Sequence, residues 1–313
     1  MHFLSSFIRV AGLSAILASV ALADSFTAIN DPSATAGTFA FGINTTGKIV
    51  GYYATASGPK GFIDSGGSFT TISDPLATDG TSAFGINSAG QVVGYYVTAS
   101  GTSGFLYSGG TFTTLSDPSA TGGTFARGIN ASGQIIGSYI NASGTHGFLY
   151  SGGTFTTLND PLATNGTFAF GINDLGQIVG YYKNASGTFG FLYQGGVFTT
   201  ITGPSAGGVT VAFGINDSGQ IVGSSGTGSG VGWIDTSGTF AAVTNPSATG
   251  GTFPYGINNA GEIVGFYEGA SGLNSGFLAT AAPEPTSLAM AVAALLGTAS
   301  YWRRKTRASQ SAI

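Results

Sequence analysis

Thr81-Ser82-Ala83-Phe84-Gly85-Ile86-Asn87-Ser88-Ala89-Gly90-Gln91-Val92-Val93-Gly94-Tyr95-Tyr96 decides the fold, because versions of it recur along the whole chain. Its Gly-Ile-Asn triplet begins at Gly42, Gly85, Gly128, Gly171, Gly214 and Gly256, in steps of 43, 43, 43, 43 and 42 residues. A period held that closely marks a repeat architecture, in which each unit buries its apolar face against its neighbours. Each period carries four short strand patterns. They are Thr-Phe-Ala-Phe-Gly-Ile (from Thr38 and Thr167), Gln-Ile-Val-Gly-Tyr-Tyr (from Gln177), Gly-Phe-Leu-Tyr (from Gly104 and Gly147) and Phe-Thr-Thr-Leu (from Phe112 and Phe155). Phe, Tyr, Ile, Val and Thr suit a pleated, half-buried surface. Between the first two patterns, Asn-x-x-Gly (Asn44 to Gly47, Asn87 to Gly90) supplies residues that accept positive φ in a tight hairpin turn.

Four strands in about 43 residues is the size of one propeller blade. The ends of the series choose the architecture. The repeats begin with Phe26-Thr27-Ala28-Ile29, a fourth strand with no preceding three, and stop after Gly276-Phe277-Leu278, a third strand with no fourth. In an open stack this offset leaves two bare edges; in a ring the first strand completes the last blade. The expectation is an all-β, six-bladed propeller of four-stranded blades over residues 24–280, closed by its N-terminal strand. An open β-solenoid is the alternative, and it predicts polar caps that the sequence lacks. The fifth copy departs most, with Ser224-Ser225 for the Tyr pair, Gly232-Trp233-Ile234 for Gly-Phe-Leu and Gly203-Pro204 for Asp-Pro, so its blade is expected to be the least regular.

Composition narrows the setting. Of 313 residues only 7% are charged and 42% are hydrophobic, which is too apolar for a disordered chain. From Asp24 to Thr280 four bases (Lys48, Lys60, Arg127, Lys183) face twelve acids, a balance of −8 that argues against nucleic acid as a partner. The chain has no Cys, which excludes disulfides and thiolate metal sites. Residues 1–23 read as a secretory signal peptide: Arg9, an apolar run from Val10 to Leu22, and small residues before Asp24. Residues 281–313 combine Pro283-Glu284-Pro285, an uncharged apolar run from Thr286 to Trp302, and the basic cluster Arg303, Arg304, Lys305, Arg307. Those 17 residues, as a helix, span about 25 Å, slightly short of the ~30 Å hydrocarbon core of a bilayer. The cluster would stay cytoplasmic as a membrane stop, with the repeats outside.

The C-terminal order resembles the PEP-CTERM sorting signal of Gram-negative bacteria. That resemblance implies recognition at Pro283, Glu284 and Pro285 by an exosortase-type membrane protease, with transient anchoring in the inner membrane before delivery to the surface or matrix. A permanent single-span anchor is the alternative. The repeat core Gly-Ile-Asn-x-x-Gly-Gln-Ile-Val-Gly is similar to the HAF-type extracellular repeat over Phe26 to Leu278, a family that brings location but no activity.

Chemistry-bearing residues are few. His146 is the only histidine after the leader and is expected as a solvated loop residue. Asp31, Asp74, Asp117 and Asp160 open Asp-Pro links; oxygen ligands suit Ca²⁺, but an Asp-Pro turn accounts for them, and ring-related copies lie too far apart to share an ion. Tyr52-Tyr53, Tyr95-Tyr96, Tyr181-Tyr182 and Phe266-Tyr267 end second strands, where successive residues face opposite ways. One ring of each pair is expected to pack between blades and the other to offer a platform for sugar rings; Tyr53, Tyr96, Tyr182 and Tyr267 are the candidate contacts. Arg127 stands where Phe41, Phe84, Phe170, Phe213 and Tyr255 stand in other copies, and is a candidate ligand contact in the central channel. Asn-x-Ser/Thr at Asn44, Asn130, Asn141, Asn165, Asn184 and Asn216 reads as turn chemistry, with no glycan assigned.

No cofactor, metal or catalytic residue is implied. The preferred reading is a non-catalytic exported protein, structural or adhesive, at the cell surface or in the exopolysaccharide matrix of a biofilm. A lectin-like polysaccharide-binding module is the alternative, and a glycan-active enzyme comes third.

Overall fold

The computed structural model describes residues 25–204, 208–226 and 230–280, and every regular element among them is a β-strand. The strands form six antiparallel four-stranded sheets. The first blade runs outward from Thr38–Ile43 through Ile49–Thr55 and Gly58–Ser65 to Ser68–Ile72. Inner strands of the following blades are Gly80–Ile86, Gly123–Ile129, Thr167–Ile172, Thr210–Ile215 and Thr252–Ile257. In the sixth blade the outermost place goes to Ser25–Ile29, which pairs antiparallel with Asn274–Thr280 from Ser25↔Thr280 to Ile29↔Gly276. The chain is a six-bladed propeller closed by its first strand.

Two features of the Gly-Ile-Asn triplet account for the ring. A Cβ on Gly42 would lie 2.6 Å from the carbonyl oxygen of Phe84, and the relation repeats around the circle until Gly256 meets the oxygen of Phe41 at 2.5 Å. Neighbouring inner strands therefore approach more closely than any side chain permits. Each triplet Asn then does two things. Its Oδ1 accepts the N–H four residues on (Lys48, Gln91, Gln134, Gln177, Gln220, Glu262), which closes its own turn. Its Nδ2 donates to the backbone oxygen of the next blade's Asn, from Asn44 onto Asn87 at 3.1 Å and so on around the axis. The turn role was legible in advance; the belt between blades was not.

The core is a set of layers between blades. One layer joins Val50 and Ile72 of the first blade to Ala83, Val92, Tyr96 and Phe105 of the second. Third-strand residues Phe62, Phe105, Phe148, Phe191 and Phe277 are fully buried, and Trp233 fills the same place in the fifth copy. That blade keeps its four strands, Thr210–Ile215, Ile221–Ser225, Val231–Thr236 and Thr239–Val243. Its second strand is five residues long against six or seven elsewhere, and Trp233 buries an indole N–H that is without a hydrogen-bond partner among the described residues.

The Asp-Pro links act as turns. Asp31, Asp74, Asp117 and Asp160 are buried and accept N–H bonds at 2.8 Å from Ser33, Leu76, Ser119 and Leu162. Their own N–H groups donate to Thr38, Thr81, Thr124 and Thr167 at the start of the next inner strand. The signal peptide, Pro283-Glu284-Pro285, the apolar run and the basic cluster of Arg303, Arg304, Lys305 and Arg307 lie outside the described residues.

Candidate functional site: the axial bowl and the blade-junction grooves

Inner strands present alternate residues to the axis, and a bulge between Ala40 and Gly42 recurs at the matching place in every blade whose inner hairpin is paired. Phe41, Phe84, Arg127, Phe170, Phe213 and Tyr255 occupy this bulge position and meet around the axis. Ring centroids are 4.6 Å apart for Phe41–Phe84, 4.9 Å for Phe41–Tyr255, 3.9 Å for Phe213–Tyr255 and 5.3 Å for Phe170–Phe213. Arg127 fills the remaining place, its guanidinium carbon 4.1 Å from the centre of Phe84 and 5.2 Å from that of Phe170. Arg127 lies at the axis, and the channel at that level is lined by five aromatic rings and one cation.

Toward the face that carries the Asp-Pro links, a second tier widens this ring into a bowl. Phe39 stacks on Tyr52 at 4.8 Å, Phe168 on Tyr181 at 4.6 Å and Phe253 on Phe266 at 5.0 Å. Lys183 hangs over this tier, 5.4 Å from Phe168 and 5.6 Å from Tyr181. This tier is thinnest in the fifth blade, where Val211 and Ser224 hold both positions, while Ser82 and Ser138 each remove one aromatic ring from the second and third blades.

The electrostatics of the bowl centre on Arg127. Burial raises the phenol pKa of Tyr52 and Tyr181 above 10.0 and that of Tyr255 to about 12, and the nearby guanidinium opposes the rise in all three. No hydrogen bond or ion pair of Arg127, Tyr52, Tyr95, Tyr181 or Tyr255 side chains is found among the described residues.

Tyr53, Tyr96, Tyr182 and Tyr267 require a correction. All four are 8% exposed or less, packed in the layers between blades. The hydroxyls of Tyr53, Tyr96 and Tyr182 bond Thr71, Thr114 and Thr200 at 3.1–3.2 Å. Their ring faces are covered, so they cannot be sugar platforms. The half-buried partners Tyr52, Tyr95, Tyr181 and Phe266 face the bowl instead.

Below the bulge ring the axis narrows. One cavity of about 80 Å³ lies between the aromatic and Ile43-type levels, and another of about 80 Å³ lies at the asparagine belt. Either holds a few waters and no sugar. Larger spaces lie on the link face at blade junctions. One of about 430 Å³ is lined by His146, Asn159, Asp160 and Asn165, and its counterpart one blade earlier, about 270 Å³, by Ser103, Ser116, Asp117 and Gly122. His146 is thus half-buried in a groove rather than freely solvated. It stacks on Tyr139 at 5.1 Å, with Nδ1 3.1 Å from Asn159 Oδ1 and Nε2 3.1 Å from Asn141 Oδ1. Sequence reasoning passed over this groove, although its signal was present: His146, Asn159 and Asn165 replace Ser103, Ser116 and Gly122 of the preceding copy. Arg127 and His146 line different cavities.

No family model matches the chain, and the search of curated proteins gives no match. Solved propellers are similar in fold. TolB from Acinetobacter baumannii aligns with a TM-score of 0.52 at 11% identity, over 74% of this chain and 63% of that one. A gluconolactonase from Xanthomonas campestris aligns with a TM-score of 0.51 at 14% identity, over 81% of this chain and 89% of that one. At such identities the likeness concerns architecture alone.

Proposed function

We propose that the chain is an exported, non-catalytic propeller of the cell surface or exopolysaccharide matrix of a Gram-negative bacterium, adhesive through contacts with polysaccharide. The observation that carries the reading is the pair of junction grooves of about 430 and 270 Å³, polar-lined and repeated one blade apart on the link face. Side-chain amides, hydroxyls and backbone groups in a space of that size suit sugar residues. Repetition around a ring turns weak single contacts into avidity for a polymer. The reading also rests on the leader, and on the tail that resembles an exosortase substrate.

Fractionation of the producing cell, with mass spectrometry of the recovered chain, tests export. The expected product begins at Asp24, ends near Pro283 and co-sediments with isolated matrix polysaccharide. Intact protein confined to the cytoplasm, or exported protein that stays in the supernatant, overturns the proposal.

A further inference from the structure

Arg127 interrupts the aromatic series that the other five copies keep at its position. Other copies fill the bulge position with Phe41, Phe84, Phe170, Phe213 and Tyr255, and these form an aromatic arc that is open only at Arg127. Phe in place of Arg127 would complete the ring. Instead a guanidinium stands there half-buried, held only against the faces of Phe84, Tyr95 and Phe170 at 4.1, 5.1 and 5.2 Å. Cation–π contact offsets part of the cost of desolvating it, yet its five N–H donors have no acceptor among the described residues. A partly buried charge without a counter-charge is stabilised when an anion pairs with it.

The surroundings define the anion's class. Nearby phenols of Tyr52, Tyr95, Tyr181 and Tyr255 are without protein partners among the described residues and add O–H donors to the cation's N–H fork. The walls of the bowl are aromatic faces, including Tyr52 on Phe39 and Tyr181 on Phe168. Such faces suit the apolar side of a pyranose ring. Lys183, over Phe168 and Tyr181, places a second cation at the rim on the same side as Phe170. Two of the four bases of the repeat body thus gather at one aromatic basin, while that body carries a balance of −8. An acidic body repels a densely charged polyanion, so a fit is expected with isolated carboxylates on otherwise neutral sugar rings. The axial cavities beneath are too small for a sugar, so the ligand approaches from the link face, the face that carries the grooves.

We infer that the axial bowl is a binding site for a carboxylated saccharide, a hexuronate residue whose carboxylate pairs with Arg127 while its ring lies on the bowl tyrosines. The inference rests on the adhesive reading above and narrows it to one site and one ligand class. Arg suits the role because its planar fork matches a carboxylate in a bidentate pair, as Lys does not.

The test uses the mature chain and two probes, a xylo-oligosaccharide bearing a single glucuronate residue and the same oligosaccharide with that carboxyl group reduced to an alcohol. Calorimetry and tyrosine fluorescence are read for wild type, Arg127→Phe and Arg127→Lys. Arg127→Phe restores the residue of the neighbouring copies, so its thermal unfolding is expected at or above the wild-type temperature. The expected result is binding of the acidic probe that weakens by about tenfold or more in Arg127→Phe, and partly in Arg127→Lys. Wild-type affinity for the reduced probe is expected to be weaker by a similar factor, and added salt to weaken only the acidic arm. Equal binding of both probes, or acidic binding unchanged in Arg127→Phe, overturns the inference while leaving adhesion through the grooves intact. No binding of either probe also overturns it, and co-sedimentation with matrix polysaccharide then decides the broader reading separately.

Discussion

Asn258 donates from Nδ2 to the backbone oxygen of Asn44 across 3.1 Å, joining the last blade to the first over 214 positions of sequence. It is the sixth link of a belt whose other five join consecutive blades at 3.0–3.2 Å. The closing strand Ser25–Ile29 gives the same joint a second, outer hold. Replacing Asn258 with Ala removes the donor to Asn44 and the acceptor for the N–H of Glu262 and Ala260, all near the axis. Leaving such buried groups unpaired costs about 1–3 kcal/mol. Asn258→Ala is therefore expected to lower denaturant stability by about that amount, and Asn130→Ala, inside the array, by a similar one. A cost confined to Asn130→Ala would show that the seam between first and last blades contributes nothing to the closed ring.

Much of this architecture could be read from the chain, because the relevant forces are local or periodic. The Asn-x-x-Gly turns have Gly47 at φ 75° and Gly90 at φ 78°, the conformation for which the sequence supplies Gly. The offset between Phe26 and Leu278 fixed how the ring closes. What escaped were relations between copies. Nothing in Gly85-Ile86-Asn87 taken alone says that the amide nitrogen of Asn87 reaches the next blade, or that Gly85 must be bare to let Arg127 approach. The tyrosine pairs failed for a related reason. Strand alternation tells that Tyr52 and Tyr53 part company, but which one turns to the axis depends on pairing register, Phe39↔Tyr52 and Thr38↔Tyr53, set by the bulge beside Phe41. Arg127 was legible as the one break in an aromatic series. The groove around His146 needed the loop and the following link brought together by the fold.

Trp233 provides a test of packing against polar satisfaction. The five equivalent positions are Phe, all fully buried, and the indole stands edge-on to Phe240 at 5.2 Å with an N–H that is unpartnered among the described residues. Trp233→Phe removes that orphaned donor, whose burial costs about 1–3 kcal/mol, against a loss of packed ring atoms of similar size. The variant is expected to unfold within about 1 kcal/mol of wild type. Phe191→Ala, at the equivalent place in the blade before, is expected to cost about 3–5 kcal/mol. Chemical denaturation of both variants checks the contrast, and a Trp233→Phe loss as large as that of Phe191→Ala would refute it.

The third-strand ends make stability depend on acid. Burial holds the Asp64 carboxyl above its ordinary 3.8; the N–H of Gly67, donated at 2.7 Å, opposes the rise, and the nearby Asp31 charge adds to it. Asp235, which accepts the N–H of Gly238 in the fifth copy, is raised for the same leading reason. A folded-state pKa above the unfolded value means that the fold favours the protonated form. The stability so gained is complete below pH 3.8 and is lost as pH rises through the raised folded-state value. Asp64→Asn keeps an acceptor for Gly67 and removes the titration. Its melting temperature, measured from pH 3.8 to neutrality, is expected to fall less with rising pH than that of wild type. Parallel curves for the two proteins would dispose of the argument.

At the opposite end of the pH scale the bowl itself titrates. Burial among Phe41, Phe213 and Phe266 pushes the Tyr255 phenol to about 12, and Arg127 restrains the rise. The unfolded chain ionises this tyrosine near its ordinary 10.0, so protons leave the unfolded state first as pH increases. Stability contributed by the neutral phenol is whole below pH 10.0 and drains away through about pH 12. Tyr255→Phe keeps the stacked ring on Phe213 and deletes the ionisation, so its alkaline unfolding is expected at higher pH than that of wild type. Arg127→Phe should shift the titration rather than delete it. With the guanidinium gone, the tyrosinate absorbance of Tyr255 is expected to appear later, since its one nearby positive charge no longer favours the anion. A Tyr255 titration that does not move in Arg127→Phe would mean that the guanidinium does not face the bowl, and the anion site would lose its cation.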